Sequence, residues 1–355
     1  MFVGISGGVD SAVSAALLKE KGCAVTGVFI KIILPGYPCP AAQDRIEAMR
    51  AAAHLKIPFI ETDLSKEYES RVFRPSIEEF KKGYTPNPDT LCNEKIKFGV
   101  FYDFARRNGA ERIATGHYAQ VRNSMLYVGK DKEKDQSYFL WGVCTETLEH
   151  TLFPVGHLTK KEVRVLAKKY GLPNAERKDS QGLCFLGDIS LKEMLAREMS
   201  LTPGDVLSES GEVIGRHAGA PRYTLGERRG FTLVAHAPLS LPHYVVGKDM
   251  AHNTITVSPN RFPREARKTA VVLTHTNWIG AATEGECEAR YRYRGALIPA
   301  TIQKPDRGKS DNKGRASTEV VLKEPHYVPL GQSLVLYRDE RCLGGGIIES
   351  ATLIS

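Results

Sequence analysis

The chain has 355 residues, 42% of them hydrophobic and 25% charged, a globular composition that excludes disordered, collagenous and fibrous proteins. Lysine and arginine exceed aspartate and glutamate by eight charges, which favours a polyanionic partner. The apolar runs are too short to span a membrane, and the first residues lack the basic start and apolar core of a signal peptide. We therefore expect a cytoplasmic protein of two or three domains with no membrane partner.

Seven cysteines are spread along the chain without a CxxC pair or the Cys/His spacing of a zinc site. Their odd number and wide spacing argue against a disulfide scaffold. We therefore expect no structural metal, and each thiol is either a reactive group or a small core residue. The seven are Cys23, Cys39, Cys92, Cys144, Cys184, Cys287 and Cys342.

The first 115 residues alternate short β-type runs with helical ones. We predict strands over 2–5, 24–30, 57–60 and 112–115, and helices over 12–21 and 41–55. This alternation indicates a parallel sheet with crossover helices, and such sheets bind ligands beyond the carboxyl ends of their strands. The chemistry should therefore lie in the loops that follow Ile5, Ile30, Ile60 and Thr115.

The rest of the chain changes character twice. Residues 135–200 have mostly helical patterns, clearest over 160–170 and 191–199. From about residue 201, glycine and proline separate β-type runs, with a second break near residue 266 and a charged loop at 303–316. We predict an α/β domain with a parallel sheet over 1–200, a small β-rich domain over 201–266 and a β-barrel over 267–355.

The strongest local signal is the string SGGVDS at residues 6–11, between a predicted strand and a predicted helix. Its two glycines allow the backbone to approach a phosphate, and the amides at the helix start favour an anion. Asp10 would be able to hold Mg²⁺ beside the phosphates. A glycine-rich turn with serine caps is the alternative, and no lysine follows as in common nucleotide-binding loops.

The string SGGVDS resembles the PP-loop of the ATP pyrophosphatases, which cleave ATP to AMP and pyrophosphate. Further motifs resemble, in order and spacing, the tRNA-specific 2-thiouridylases. They are TPNPDTLCN at 85–93, ATGHY at 114–118, KDQSYFL at 134–140, KDSQGLCF at 178–185, RYRYRG at 290–295 and GQSLVLYRDERCLGGGIIES at 331–350. The resemblance covers nearly the whole chain, with GERRG at 226–230 in place of the more common GQRKG.

The resemblance implies an enzyme that adenylates the C2 oxygen of the wobble uridine in tRNA and then transfers sulfur from a cysteine persulfide. The products would be 2-thiouridine, AMP and pyrophosphate, with ATP and Mg²⁺ as cofactors. The ATP-binding residues it implies are Gly4, Ile5, Ser6, Gly7, Gly8, Val9, Asp10, Ser11, Ile30 and Gly116.

The resemblance also assigns the sulfur chemistry: Cys92 as nucleophile, Cys184 as persulfide carrier, and a disulfide between them after turnover. Asp89 would be the acid/base group, and Asn87, Pro88 and Asp89 would contact the target base. The residues alone place Cys92 at a helix start, which favours a thiolate. The other cysteines are predicted core residues, except Cys39 between two prolines, and no ligand spacing supports an iron–sulfur cluster.

Positive charge is concentrated in residues 251–315, which carry an excess of six. As a strand, Arg290 to Arg294 would place three arginines on one face for phosphates and two tyrosines on the other for stacking. A solvated barrel strand with its tyrosines in the core is the alternative. The family's tRNA contacts match His117, Lys134, Asp135, Gln136, Arg292, Tyr293 and Gln332.

The partners implied are tRNA, with lysine, glutamate and glutamine acceptors, and a sulfur donor protein of a cysteine desulfurase relay. Two other functions remain open: a PP-loop amidating synthetase, and a tRNA-binding or sulfur-carrier protein with a decayed ATP site. The intact SGGVDS string argues against decay, and the pair Cys92 and Cys184 argues against both.

Overall fold

The computed structural model describes residues 1–37, 41–179, 182, 184–187, 189–234, 241–303 and 317–355. Cys39 and almost all of the predicted charged loop at 303–316 lie outside these residues. The described residues form a parallel sheet flanked by helices, a small antiparallel-rich sheet and a closed antiparallel barrel. No helix among them has the length and hydropathy needed to cross a bilayer.

The parallel sheet confirms the four predicted strands and adds a fifth. Its order is β3-β2-β1-β4-β7, with every neighbouring pair parallel. The strands of the first 200 residues are β1 (Phe2–Gly4), β2 (Thr26–Lys31), β3 (Phe59–Asp63), β4 (Ile113–Ala114), β5 (Ala119–Arg122), β6 (Met125–Val128) and β7 (Thr151–Leu152).

Helices cover both faces of this sheet. They are α1 (Val9–Glu20), α2 (Ala41–His54), α3 (Ser65–Tyr68), α4 (Arg74–Lys81), α5 (Pro88–Leu91), α6 (Phe101–Arg107), α7 (Thr145–Glu149), α8 (Lys160–Lys169) and α9 (Leu191–Glu198). One apolar cluster joins α1, α2 and α8 to the sheet, and another joins α4, α6 and the segment between α5 and α6.

Two of these helices continue through π-helical segments, Glu69–Phe73 between α3 and α4 and Cys92–Val100 between α5 and α6. The prediction of a mostly helical stretch over 135–200 is wrong in extent. Helices α8 and α9 are present, but β7 and proline- and glycine-containing turns such as 153–158 occupy much of the interval.

The middle sheet has the order β10-β9-β8-β12-β11 around the buried side chains of Val206, Tyr223, Val245, Ile255 and Val257. Its strands are β8 (Gly204–Leu207), β9 (Val213–His217), β10 (Phe231–Leu233), β11 (Tyr244–Asp249) and β12 (Thr254–Ser258). Alternating buried and half-buried residues, as in β8, explain why the sequence forms strands here.

The last sheet closes into a six-stranded barrel in the order β13-β16-β15-β14-β17-β18, because β18 also pairs with β13. Its strands are β13 (Lys268–Trp278), β14 (Gly285–Arg290), β15 (Ile298–Ile302), β16 (Thr318–Leu322), β17 (Ser333–Arg338) and β18 (Arg341–Ile354). The hairpin β5–β6 of the first domain extends this sheet, since Leu126 and Tyr127 pair with Cys342 and Arg341. This hairpin joins the first 200 residues to the barrel.

Candidate active site

The loop after β1 closes on itself before α1 begins. The Ser11 hydroxyl donates to the Gly8 carbonyl at 3.0 Å and accepts the Ser6 amide at 3.2 Å. Gly7 has φ +79°, and a β-carbon there would lie 2.5 Å from the carbonyl oxygen of Asp44. Only glycine fits this backbone conformation and this close approach. The loop therefore turns sharply at the carboxyl edge of the sheet, as the motif predicts.

Two side chains from the segment after α8 hold the outer side of this loop. Asn174 Nδ2 and Arg177 Nη1 donate to the Gly7 carbonyl at 2.8 and 3.1 Å. Arg177 also forms an ion pair with Asp44 of α2. Sequence reasoning missed both residues, because their only link to the loop is through the tertiary fold.

The carboxylate of Asp10 points to a lysine that the sequence analysis also missed. Lys160 Nζ lies 2.7 Å from Asp10 Oδ1, which also accepts the Tyr118 hydroxyl at 2.8 Å. Lys160 is the first residue of α8, after the capping residue Thr159, and β7 brings this helix start to the same edge of the sheet. The sequence signal that could have found Lys160 is its place at the start of a helix that follows a strand and a loop.

Lys160 extends this contact into a larger network. Its ammonium also lies 2.8 Å from Asp179, which pairs with Lys134 at 2.7 Å and Arg164 at 2.9 Å. Burial alone would raise the pKa of Asp179, but hydrogen bonds from Lys134 and Lys160 lower it to about 2. The network thus connects the phosphate loop at Asp10 with the segment that leads to Cys184.

The remaining predicted ATP contacts surround the same edge. A β-carbon on Gly116 would lie 2.7 Å from the Ser11 amide nitrogen, so the end of β4 packs directly on the start of α1. Ile30 lies near the end of β2, two residues beyond the pairing of Gly4 with Val28. The structure therefore gathers the predicted nucleotide residues at the ends of β1, β2 and β4.

The two predicted reactive cysteines meet although 92 residues separate them. The Sγ atoms of Cys92 and Cys184 are 3.5 Å apart, and Cys92 is fully buried. Helix α5 begins at Pro88, capped by the Asn87 side chain, and the Cys92 amide is already bonded to carbonyls of that helix. The prediction that Cys92 starts a helix and is held as a thiolate there is therefore wrong. Burial raises the pKa of Cys92 well above its ordinary value.

Cys184 has the opposite electrostatic environment. A hydrogen bond from the Cys92 thiol lowers the pKa of Cys184 to about 7, against the effect of burial and with help from the Lys97 ammonium. The Cys184 amide donates to Asp89 Oδ1 at 3.1 Å, and its carbonyl accepts the Tyr68 hydroxyl at 3.0 Å. Of the two sulfurs, Cys184 is therefore the one whose pKa is lowered, and Cys92 the one whose pKa is raised.

Asp89 lies next to both thiols. Burial raises its pKa, against the hydrogen bond from the Cys184 amide and the charge of Lys97. A carboxyl group with a raised pKa can exchange a proton closer to neutral pH than an ordinary aspartate. The pair of thiols, the carboxyl group and the ammonium of Lys97 form one reactive cluster.

Comparisons with known proteins agree on one family. Family models match residues 1–188 (tRNA methyl transferase HUP domain), 192–259 (tRNA methyl transferase PRC-barrel domain) and 268–348 (aminomethyltransferase beta-barrel domain). A tRNA-specific 2-thiouridylase MnmA from Methylobacillus flagellatus is 40% identical, covering 99% of both chains. One from Enterococcus faecalis is 37% identical, covering 98% of this chain and 95% of its own. The chain belongs to the tRNA-specific 2-thiouridylase family.

Two solved structures show a distant likeness to this chain. A 4-thiouridine synthetase–RNA complex with bound ATP matches at 17% identity and a TM-score of 0.34, covering 56% of this chain and 49% of its own. The NMN synthetase of Francisella tularensis matches at 18% identity and a TM-score of 0.32, covering 50% and 65%. Neither likeness carries an argument about this member of the 2-thiouridylase family.

Several residues predicted to contact tRNA are engaged inside this 2-thiouridylase-family fold. His117 is buried between the rings of Phe98 and Phe153, with Nδ1 2.7 Å from the Thr115 hydroxyl, and burial lowers its pKa well below the ordinary value. This placement is that of a packed histidine and gives no direct support to a tRNA contact.

The other predicted contacts in the 134–136 segment differ from one another. Asp135 is buried and accepts the amides of Gly129 and Ser137 at 3.0 and 3.1 Å, so it organises its own turn. Gln136 Oε1 accepts the Tyr118 amide at 3.0 Å. Of the three residues, Lys134 is the one whose charged group joins the network around Asp10, because it pairs with Asp179.

Gln332 lies close to the segment predicted to contact the target base. The Tyr138 hydroxyl donates to Gln332 Oε1 at 3.3 Å, and the segment Ser137–Leu140 packs against α5, the helix that the Asn87 side chain caps. The Thr85 amide donates to the carbonyl of Leu330 at 2.8 Å, which ties the two segments together. The barrel thus contributes Gln332 to the surroundings of Asn87.

The predicted strand over Arg290 to Arg294 is wrong beyond its first residue. Strand β14 ends at Arg290, and the chain then turns, with Arg294 at φ +57°. Arg290 reaches to 3.7 Å from Asp135, Arg292 donates to the Leu225 carbonyl, and Arg294 Nε donates to the Glu133 carbonyl at 3.0 Å. The arginines therefore do not share one face, and they connect the barrel to both other domains.

The Tyr293 ring packs against Phe139 with centroids 4.5 Å apart, so it is half-buried within the protein.

Burial raises the pKa of Cys287 to about 11 and that of Cys342 to about 12, as expected of core thiols. Cys144 is exposed, so its prediction as a core residue is wrong.

Proposed function

We propose that this protein is a tRNA-uridine 2-sulfurtransferase that uses ATP to convert the wobble uridine of tRNA to 2-thiouridine, releasing AMP and pyrophosphate. The observation that carries the proposal is the pair Cys92 and Cys184, with sulfurs 3.5 Å apart beside Asp89 in a chain of the 2-thiouridylase family. Sulfur transfer from a cysteine persulfide uses one thiol to carry the sulfur and a second thiol to release it by exchange, and the two cysteines fit these roles.

ATP binding is assigned to the loop after β1 and its neighbours. The backbone amides of the loop and the start of α1 would hold the pyrophosphate portion, and Ile30 and Gly116 would contact the rest of the nucleotide. Asp10 offers Mg²⁺ one carboxylate, which suits an ion held mainly by phosphates, provided that the ion replaces Lys160. Mg²⁺ would neutralise the leaving pyrophosphate. The assigned residues are Gly4, Ile5, Ser6, Gly7, Gly8, Val9, Asp10, Ser11, Ile30 and Gly116.

The sulfur steps follow from the ionisation of the two thiols. The Cys184 thiolate attacks the outer sulfur of a donor persulfide, forming a new S–S bond while the donor cysteine leaves as a thiolate. Asp89 removes the proton of the Cys92 thiol, and Cys92 then attacks the Cys184 sulfur. This step forms the Cys92–Cys184 disulfide and frees the outer sulfur, which bonds to the uridine C2 as AMP leaves. A cellular thiol then reduces the disulfide.

The tRNA side of the proposal is supported by the excess charge of residues 251–315 and by the proximity of Gln332 to Asn87. Asn87, Pro88 and Asp89 would contact the base. The contacts proposed for tRNA are His117, Lys134, Asp135, Gln136, Arg292, Tyr293 and Gln332, of which His117 and Asp135 would act by positioning their neighbours. We assign catalysis to residues 1–200 and tRNA binding to the barrel at 267–355, with 201–266 between them.

The physiological partners belong to the same proposal. The substrates would be the tRNAs for lysine, glutamate and glutamine, and the sulfur donor a protein of a cysteine desulfurase relay. The reaction would take place in the cytoplasm, where thiols such as Cys92 and Cys184 are kept reduced between turnovers.

The test is to incubate the protein with unmodified tRNA, ATP, Mg²⁺ and a persulfide donor, and to measure 2-thiouridine by mass spectrometry together with pyrophosphate. Cys184→Ser should release pyrophosphate but form no 2-thiouridine. Cys287→Ser, at a buried thiol of the barrel, is the matched control and should behave as the wild type. Failure of the wild-type protein to thiolate tRNA while it binds both tRNA and ATP would refute the proposal.

A further inference from the structure

The π-helical segment Cys92–Val100 changes which side chains share a helix face. In this geometry a backbone amide bonds to the carbonyl five residues earlier, as the Phe101 amide does with Ile96. Residues five apart are therefore brought onto nearly the same face. Cys92 and Lys97 are five residues apart, and both side chains interact with Cys184. Wider turns of this kind are concentrated at functional sites.

Lys97 is directed at the loop that carries Cys184. Its ammonium lies 5.7 Å from the centre of the ring of Phe185, the residue next to Cys184, and its charge lowers the pKa of the Cys184 thiol. Within the described part of the chain, no carboxylate is within ion-pair distance of Lys97. Burial alone would lower the pKa of Lys97, but the charges of Cys184 and Cys92 raise it, so the group stays protonated.

The other groups that face Cys184 do not supply positive charge. Cys92 gives a thiol hydrogen bond, Asp89 a carboxylate that accepts the Cys184 amide, and Tyr68 a hydroxyl that binds the Cys184 carbonyl. The charge of Asp89 opposes ionisation of Cys184, and burial does the same. Among these neighbours, Lys97 alone favours an anionic sulfur by its own charge.

We infer that Lys97 is a catalytic residue of sulfur transfer, whose ammonium lies beside the Cys184 sulfur and stabilises the negative charge on the reacting sulfur as the persulfide forms and is consumed. This inference rests on the proposed function and adds a residue to its site. The ammonium first stabilises the Cys184 thiolate that attacks the donor persulfide. After that step the negative charge resides on the donor thiolate and, once the persulfide ionises, on its outer sulfur. Lys97 gives up no proton in either step.

The experiment measures the pH dependence of iodoacetamide alkylation at Cys184 in the reduced full-length protein, with the labelled peptide identified by mass spectrometry. Lys97→Met keeps the length of the side chain without its charge, and Lys97→Arg restores a charge. Lys95→Met is the matched control, since Lys95 is an exposed lysine of the same segment that pairs with Glu94.

The wild-type alkylation midpoint is expected near the Cys184 pKa of about 7. Loss of a neighbouring charge shifts a pKa by about one to three units, so Lys97→Met should raise the midpoint by at least roughly one unit. At pH 7 this slows alkylation by about fivefold or more, while Lys97→Arg should recover most of the rate. Lys95→Met should match the wild type.

An unchanged midpoint in Lys97→Met would overturn the inference. The thermal unfolding midpoint checks that each variant remains folded, and Lys97→Gln replaces the methionine variant if that variant fails this check. The alkylation needs neither tRNA nor a sulfur donor. A failed shift would therefore remove Lys97 from catalysis while the proposed function stands, whereas a normal shift without 2-thiouridine formation would refute the function alone.

Discussion

Oxidation should link Cys92 to Cys184 and stabilise the first domain measurably. The two sulfurs are 3.5 Å apart in the reduced protein, and a disulfide needs about 2.05 Å, so a movement of about 1.5 Å closes the bond. The crosslink closes a loop of about 93 residues, for which the chain-entropy relation gives about 4.6 kcal/mol at 25 °C. Engineered disulfides often deliver less than this relation predicts, so about 3 kcal/mol is the lower expectation.

For a domain of about 200 residues this corresponds to a rise of roughly 6–18 °C in the thermal midpoint. Fluorescence of Trp141, which is buried in the first domain, reports its unfolding. The chain has two tryptophans, so Trp278→Phe leaves Trp141 as the sole reporter. Peptide mapping under non-reducing conditions identifies the bond directly.

Cys92→Ser is the control and should show the same midpoint with and without oxidant. The reasoning is refuted if the oxidised Trp278→Phe protein, which keeps both cysteines, contains no disulfide-linked Cys92–Cys184 peptide. It is also refuted if that peptide is present in full yield and the midpoint equals that of the reduced protein, because the loop would then already be constrained in the unfolded chain.

Two further predictions concern the phosphate loop and the barrel. Gly109 has φ +80° and open space where a β-carbon would lie, so Gly109→Ala should lower the free energy of unfolding in urea by about 1 kcal/mol. At Gly7 the Asp44 carbonyl blocks a β-carbon, so Gly7→Ala should lower the free energy of unfolding further and abolish ATP binding measured by calorimetry. Equal losses in both variants would contradict the close approach at Gly7. Arg294→Gln should reduce the slope of log tRNA affinity against log salt concentration by about 0.7–0.9, because the exposed Arg294 would contact a phosphate. Arg290 is more buried, so Arg290→Gln should lower stability and leave this slope unchanged. The opposite ranking of the two variants would exclude Arg294 from the RNA surface.

Sequence patterns predicted the secondary structure correctly where it depends on residues that are close together in the chain. The alternation around β1, β2 and β3 is confirmed because helix and strand periods are properties of neighbouring residues. The hairpin β5–β6 was missed because its strands have four residues each and the partner β18 lies at the other end of the chain. Arg292 and Arg294 were misplaced for a similar reason, since the turn after β14 depends on contacts with Leu225 and Glu133.

The sequence likewise predicted which residues form the candidate site but not their ionisation. The motifs named Cys92, Cys184 and Asp89, but they placed the thiolate on Cys92 from its position in a helix. The helix begins at Pro88, and the ionisation of each sulfur depends on burial and on Lys97. Neither quantity is a property of a short string, so the three-dimensional structure was needed to show which thiol has the lowered pKa, while the roles of the two thiols stay as the motifs predicted them.

The junction of β6 with β18 places a condition on the synthesis of the chain. The hairpin β5–β6 leaves the ribosome about 200 residues before Arg341 and Cys342, which pair with it. At about 5–20 residues per second, the edge of β6 stays unpaired for roughly 10–40 seconds. An open strand edge is a template for pairing with other chains during that time. The hairpin of the first domain therefore meets its partner strand only when the last strand of the barrel has been made.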